Sequence, residues 1–108
     1  MMLNIEDLRM LCTDDTIFLT QHLQQRMHKH GVRYDDLTSA MANGEIIEQY
    51  PNDYPYPSCL VLGFAENGDA LHVVCGIGNG ILWIITVYYP SADKWESDNK
   101  TRKGKSES

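Results

Sequence analysis

Cysteine is scarce and unpatterned. Cys12, Cys59 and Cys75 are odd in number, widely spaced and form no CxxC pair. That excludes a disulfide-framed scaffold and the usual zinc or redox motifs, and it fits a reducing compartment. Long apolar runs are also missing. The longest, from Ile81 to Tyr89, is interrupted by Thr86 and falls far short of the roughly 20 residues a membrane helix needs. The N-terminus is acidic and carries no signal-peptide pattern. The expectation is a cytoplasmic protein with no membrane association. The histidines show neither zinc-finger nor HExxH spacing, so neither metal nor cofactor is expected. Gly76, Gly78 and Gly80 precede no helix and so do not form a phosphate-binding loop. There is no internal repeat.

Basic residues are sparse through most of the chain. Residues 1–92 hold Arg9, Arg26, Lys29 and Arg33 against eleven acids, whereas residues 93–108 hold five basic residues against four acids. A body this acidic argues against broad, non-specific binding of nucleic acid, which normally needs a basic face.

What is present is the composition of one globular domain: 108 residues, 43% hydrophobic and 22% charged. The pattern predicts two or three helices followed by an antiparallel sheet. Asn4 to Leu11 reads as a short helix capped by Asn4. A second helix is expected from Thr13–Asp15 to about His30, with Leu19, Leu23, Met27 and His30 on one face and Gly31 ending it. A third follows Tyr34, capped by Asp35, and stops at Asn43-Gly44. Glu45 to Tyr50 reads as a strand. Residues 51–58 hold three prolines and two tyrosines, which makes a stiff surface loop. Strands then run at about Cys59–Ala65, Ala70–Ile77 and Ile81–Tyr88. The expected fold is therefore α+β, with the helices on one face of a four-stranded antiparallel sheet. One domain spans residues 1–95, and a polar, disordered tail spans 96–108.

The turns set the register. A two-residue loop at Asn67-Gly68 pairs Gly63 with His72, and a three-residue loop at Gly78–Gly80 pairs His72 with Thr86. One face then holds Leu60, Leu62, Phe64, Leu71, Val73, Cys75, Trp83, Ile85 and Val87, and should lie under the helices. A two-residue loop at Asn79-Gly80 is the alternative, but it mixes the faces. On the preferred register His72 faces away with Thr86, and Tyr88 ends that face as a shallow groove.

The run His22-xxx-Arg26, His30-Gly31-Val32, Asp35-Asp36 and Asn43-Gly44-Glu45-Ile46-Ile47-Glu48 resembles a bacterial family known as domain of unknown function 4258. Tyr50-Pro51, Pro57-Ser58-Cys59-Leu60-Val61-Leu62-Gly63, Leu71-His72-Val73-Val74 and Thr86-Val87-Tyr88 continue the resemblance. His30 departs from it, since an arginine is expected before Gly31. The resemblance implies a fold like that of RelE-like toxins, which belong to a group of small metal-independent ribonucleases. It also implies a zinc-finger antitoxin as partner and RNA as substrate.

Metal-free RNA cleavage needs a base for the 2′-hydroxyl, an acid for the leaving oxygen and a cation for the phosphate. His22 and His72 are the acid/base candidates. Arg26, four residues from His22 on one helical row, is the candidate phosphate clamp. Thr86, Tyr88 and the loop residue Tyr54 are the candidate substrate contacts. Each has a plainer alternative: Arg26 as an ion-pair partner, His72 as a core histidine bonded to Thr86, and Tyr54 packed under its own loop. The rival function is a non-catalytic protein-interaction domain using a sheet edge or the tyrosine–proline loop.

Overall fold

The computed structural model describes residues 2–103. Its architecture is α+β: three helices and one open, mixed, five-stranded sheet. The elements run α1 (Ile5–Met10), β1 (Ile17–Leu19), α2 (Gln21–Lys29), α3 (Tyr34–Asn43), β2 (Glu45–Tyr50), β3 (Ser58–Phe64), β4 (Ala70–Gly78) and β5 (Ile81–Tyr88). The strand order is β1-β5-β4-β3-β2. No helix among the described residues is long and apolar enough to cross a membrane.

Helix signals at the level of single side chains hold well. Asn4 Oδ1 caps α1 by accepting from the Asp7 amide at 2.9 Å. At the end of α2 the Val32 amide bonds Met27 O at 2.8 Å and the Gly31 amide bonds His28 O at 3.2 Å, the paired bonds of a Schellman ending. The second helix, however, is shorter than the sequence suggests. Ile17–Leu19 leaves the helix and pairs parallel to β5, with Phe18 opposite Trp83. Thr20 then caps α2, its hydroxyl accepting from the Leu23 amide at 3.0 Å. A β-branched and aromatic stretch found an open strand edge, and that tertiary pairing outweighed helical spacing. The expected four-stranded antiparallel sheet thereby gains a fifth, parallel strand. α3 also starts earlier than expected: Arg33 is its N-cap, and the Arg33 amide donates to Asp36 Oδ2 at 3.0 Å.

Neither meander turn has the expected loop length, and the second takes the alternative one. The Ala65 amide bonds Asp69 O, so the β3–β4 loop holds three residues, with Gly68 at φ +93°. The β4–β5 loop holds two, Asn79 at φ +57° and Gly80 at φ +75°, the geometry of a primed two-residue turn. Leu62 therefore pairs with His72, and His72 with Tyr88 rather than Thr86. A register shift after Val74 lets Ile84 and Val87 both face inward. The helices cover Cys59, Val61, Leu71, Val73, Cys75, Leu82, Ile84 and Val87. Leu60, Leu62 and Trp83, expected beneath them, lie on the opposite face with His72.

Residues 91–103, partly assigned to a disordered tail, form an ordered segment on that second face. Trp95 bridges to Arg102, the Glu96 amide bonds Thr101 O, and the Lys103 amide bonds Lys94 O. Residues 104–108 of the expected tail lie outside the described residues.

The helix layer approaches the sheet most closely at Gly63, where a Cβ would sit 2.1 Å from the Ala40 carbonyl oxygen. Backbone cannot yield there as a flexible side chain would. Gly63→Ala is expected to destabilise the fold by about 1–3 kcal/mol in urea unfolding, against the usual gain from replacing a strand glycine.

Candidate functional site

The second sheet face gathers the polar groups. Glu48 and Tyr50 come from β2, His72 from β4, Tyr88 from β5, and Trp95, Asn99 and Arg102 from the C-terminal segment. The β2–β3 pairing carries a register shift between Ile46 and Glu48, where an irregular strand re-aims its side chains.

His72 is completely buried. Its Nε2 lies 2.8 Å from Asn99 O, an acceptor only, so Nε2 carries the proton. Nδ1 then accepts from the Tyr88 hydroxyl at 3.2 Å. The Trp95 ring meets the imidazole edge-on at 4.5 Å between centroids. Burial pulls the imidazole pKa below its ordinary value, and the Asn99 carbonyl opposes this only in part. His72 is thus a neutral pillar that fixes the C-terminal segment and the Tyr88 hydroxyl.

Next to it lies an exposed ion pair. Arg102 grips Glu48 side-on, Nε to Oε2 at 2.8 Å and Nη2 to Oε1 at 2.9 Å. The Tyr50 hydroxyl donates to the same Oε1 at 2.5 Å. The guanidinium also lies over the Trp95 ring, 4.6 Å from its centroid. The hydrogen bond from Arg102 holds the Glu48 carboxyl below its usual range. Burial and the Glu48 carboxylate push Tyr50 up to about 12, so it stays protonated. Both partners are partly open to solvent, so the pair adds at most about 1 kcal/mol to stability. Its main effect is to fix the orientation of the guanidinium. A groove of about 450 Å³ borders Arg102, lined also by Tyr88, Tyr89, Ser91, Lys94 and Trp95.

The sequence-level site residues do not converge. His22 and Arg26 are exposed on α2, whose Leu23 and Met27 point into the helix-side core. His72 lies on the other side of the sheet, so the sheet separates the pair from it. Arg26 has no ion-pair partner among the described residues. Its side chain lies off the face that Leu23 and Met27 bury. Thr86 pairs with Val74 and shares the His72 face, as does Tyr88. Tyr54 is 92% exposed and lines a separate apolar cavity of about 330 Å³ with Tyr56, Gly76, Trp83 and Ile85. That cavity lies four residues along β4 from His72, about 13 Å away.

A model of a family described as a domain of unknown function, DUF4258, matches residues 19–89, about two thirds of the chain. The chain belongs to that family. The DUF4258 match takes in Glu48, Tyr50, His72 and Tyr88 and stops before Trp95 and Arg102. No curated protein and no solved structure matches the chain.

The buried imidazole gives a pH signature. Its folded pKa is depressed, so below about pH 6.5 the unfolded state binds a proton that the folded state refuses. Stability is then full above this range and falls as pH drops through it. Melting midpoints measured from about pH 8 down to about pH 5.5 should decline, and His72→Gln should flatten that slope. An unchanged slope in the variant would remove His72 as its source.

Proposed function

We propose that this DUF4258 protein is a metal-independent ribonuclease of the type II toxin class, working in the bacterial cytoplasm and neutralised by a zinc-finger antitoxin. A RelE-like relationship of its fold is part of the same proposal. The observation that carries it is the trio of Glu48, Arg102 and Tyr88 on one open sheet face: a carboxylate, a guanidinium and a phenol beside an aromatic groove.

In this proposal the acid/base work falls to residues other than His22 and His72. Glu48 accepts the 2′-hydroxyl proton as the 2′-oxygen bonds to phosphorus. The bond from phosphorus to the 5′-oxygen breaks, and the Tyr88 hydroxyl turns its proton from His72 Nδ1 to that leaving oxygen, giving a 2′,3′-cyclic phosphate. Arg102 stabilises the charge on the phosphoryl oxygens. Burial holds the Tyr88 hydroxyl above its ordinary pKa, so it keeps a proton to give. The acidic body suits cleavage of a locally gripped strand rather than extended backbone binding.

A non-catalytic interaction domain remains the second reading, favoured by the exposed Tyr54 ring beside its apolar cavity. Expression in bacteria, with RNA cleavage assayed in chelator with and without ribosomes, separates the two. Arg102→Lys keeps the charge but loses the side-on fork, and is expected to reduce cleavage roughly 10²–10³-fold with cooperative melting retained. Wild-type protein that neither arrests growth nor cuts RNA leaves the interaction domain standing.

A further inference from the structure

The groove beside Arg102 combines features that the cleavage chemistry alone does not require. Among the described residues, Lys94 lines it with no carboxylate at ion-pair distance, whereas Lys100 is held by Glu45 and Arg102 by Glu48. A bare ammonium in a groove of an acidic protein has an unmet preference for an anion. Arg102 gives two of its five N–H donors to Glu48 and also lies within reach of the Tyr50 hydroxyl, which leaves part of the guanidinium fork to face the groove. Ser91 and Tyr88 belong to the same lining, and the Tyr88 hydroxyl is held by His72 Nδ1.

The aromatic side is equally specific. Trp95 is only 3% exposed, with Arg102 over one face and the His72 ring packed against it, so it cannot accept a base. Tyr89 is 37% exposed and can. Tyr89 also lies near Asp36 and Asp69, whose charges add to burial in raising its hydroxyl pKa. Negative charge therefore lies near Tyr89, while Lys94 and Arg102 bring positive charge to the same lining. Its volume of about 450 Å³ falls in the range of small-ligand sites, about 300–1,000 Å³.

We infer that this groove is a subsite for one unpaired nucleotide, its phosphate on Lys94 and Arg102 and its base on Tyr89. The inference rests on the ribonuclease proposal and narrows it: the substrate is single-stranded RNA, and one nucleotide at the scissile phosphate is held in a fixed orientation. Duplex RNA, with its bases stacked and paired, cannot place a base on Tyr89.

The test uses the full chain and adenosine 3′-monophosphate, a ligand with no bond for the enzyme to cut, titrated by chemical-shift mapping at low salt. Saturable shifts confined to Tyr88, Tyr89, Lys94 and Arg102 are expected. Lys94→Ala, at an exposed side chain, should weaken binding roughly ten-fold, the worth of one charge-assisted hydrogen bond. Tyr89→Ala should weaken the nucleotide but leave inorganic phosphate unchanged. Lys29→Ala, on the helix side, should change neither. Equal affinity in Lys94→Ala and wild type, or no binding at millimolar nucleotide, overturns the subsite. The two proposals fail separately. Nucleotide binding by a protein that cuts no RNA keeps the subsite and removes the ribonuclease. RNA cleavage that survives both Lys94→Ala and Tyr89→Ala keeps the ribonuclease and removes the subsite.

Discussion

A central strand that is apolar on both sides must be covered on both sides. β3 presents Cys59 and Val61 to the helices and Leu60 and Leu62 to the other face, and all four are buried. The helix layer can cover only one face. The C-terminal segment supplies cover on the second, with Trp95 buried over His72. Burying one such large side chain contributes about 1.5–3 kcal/mol, whereas the partly exposed Glu48–Arg102 pair contributes about 0–1 kcal/mol. Apolar cover therefore decides that the segment docks. The ion pairs and the His72–Asn99 bond decide where it docks.

The candidate site follows from that docking. A strand residue, Glu48, meets a residue 54 positions later, Arg102, only because Trp95 has brought the chain back across the sheet. The buried histidine holds the seam between sheet and segment, and as a neutral donor to a carbonyl it is better suited to that task than to proton transfer. The same segment walls the groove through Ser91, Lys94 and Trp95.

What was legible in the sequence was local. Gly31 ended a helix, Asn4 capped one, and the boundaries of β2, β4 and β5 emerged within a residue or two. The register was not legible for a definite reason. In Cys59–Phe64 nearly every residue is apolar, so alternation could not say which side faced the helices, and the strand was placed by turn chemistry alone. β1 was hidden because Ile17–Leu19 is too short to show a period, and its partner comes more than sixty residues later. Nothing local marks Glu48 and Tyr50 as a site, because Arg102, which completes it, comes 54 residues after Glu48. The available signal was Trp95, a large aromatic in an otherwise polar stretch, which marks an anchor rather than a free tail.

The candidate site exists only with the C-terminal segment docked as part of the folded domain. Native-state amide hydrogen exchange reads this directly at the Glu96 and Lys103 amides, which bond Thr101 O and Lys94 O only when the segment is closed on itself, and at the strand amides beneath it. Clear protection is expected at Glu96 and Lys103, lost together when Trp95 is replaced by alanine while the helix-side core stays protected. Exchange at Glu96 and Lys103 as fast as in an unfolded peptide would contradict that docking.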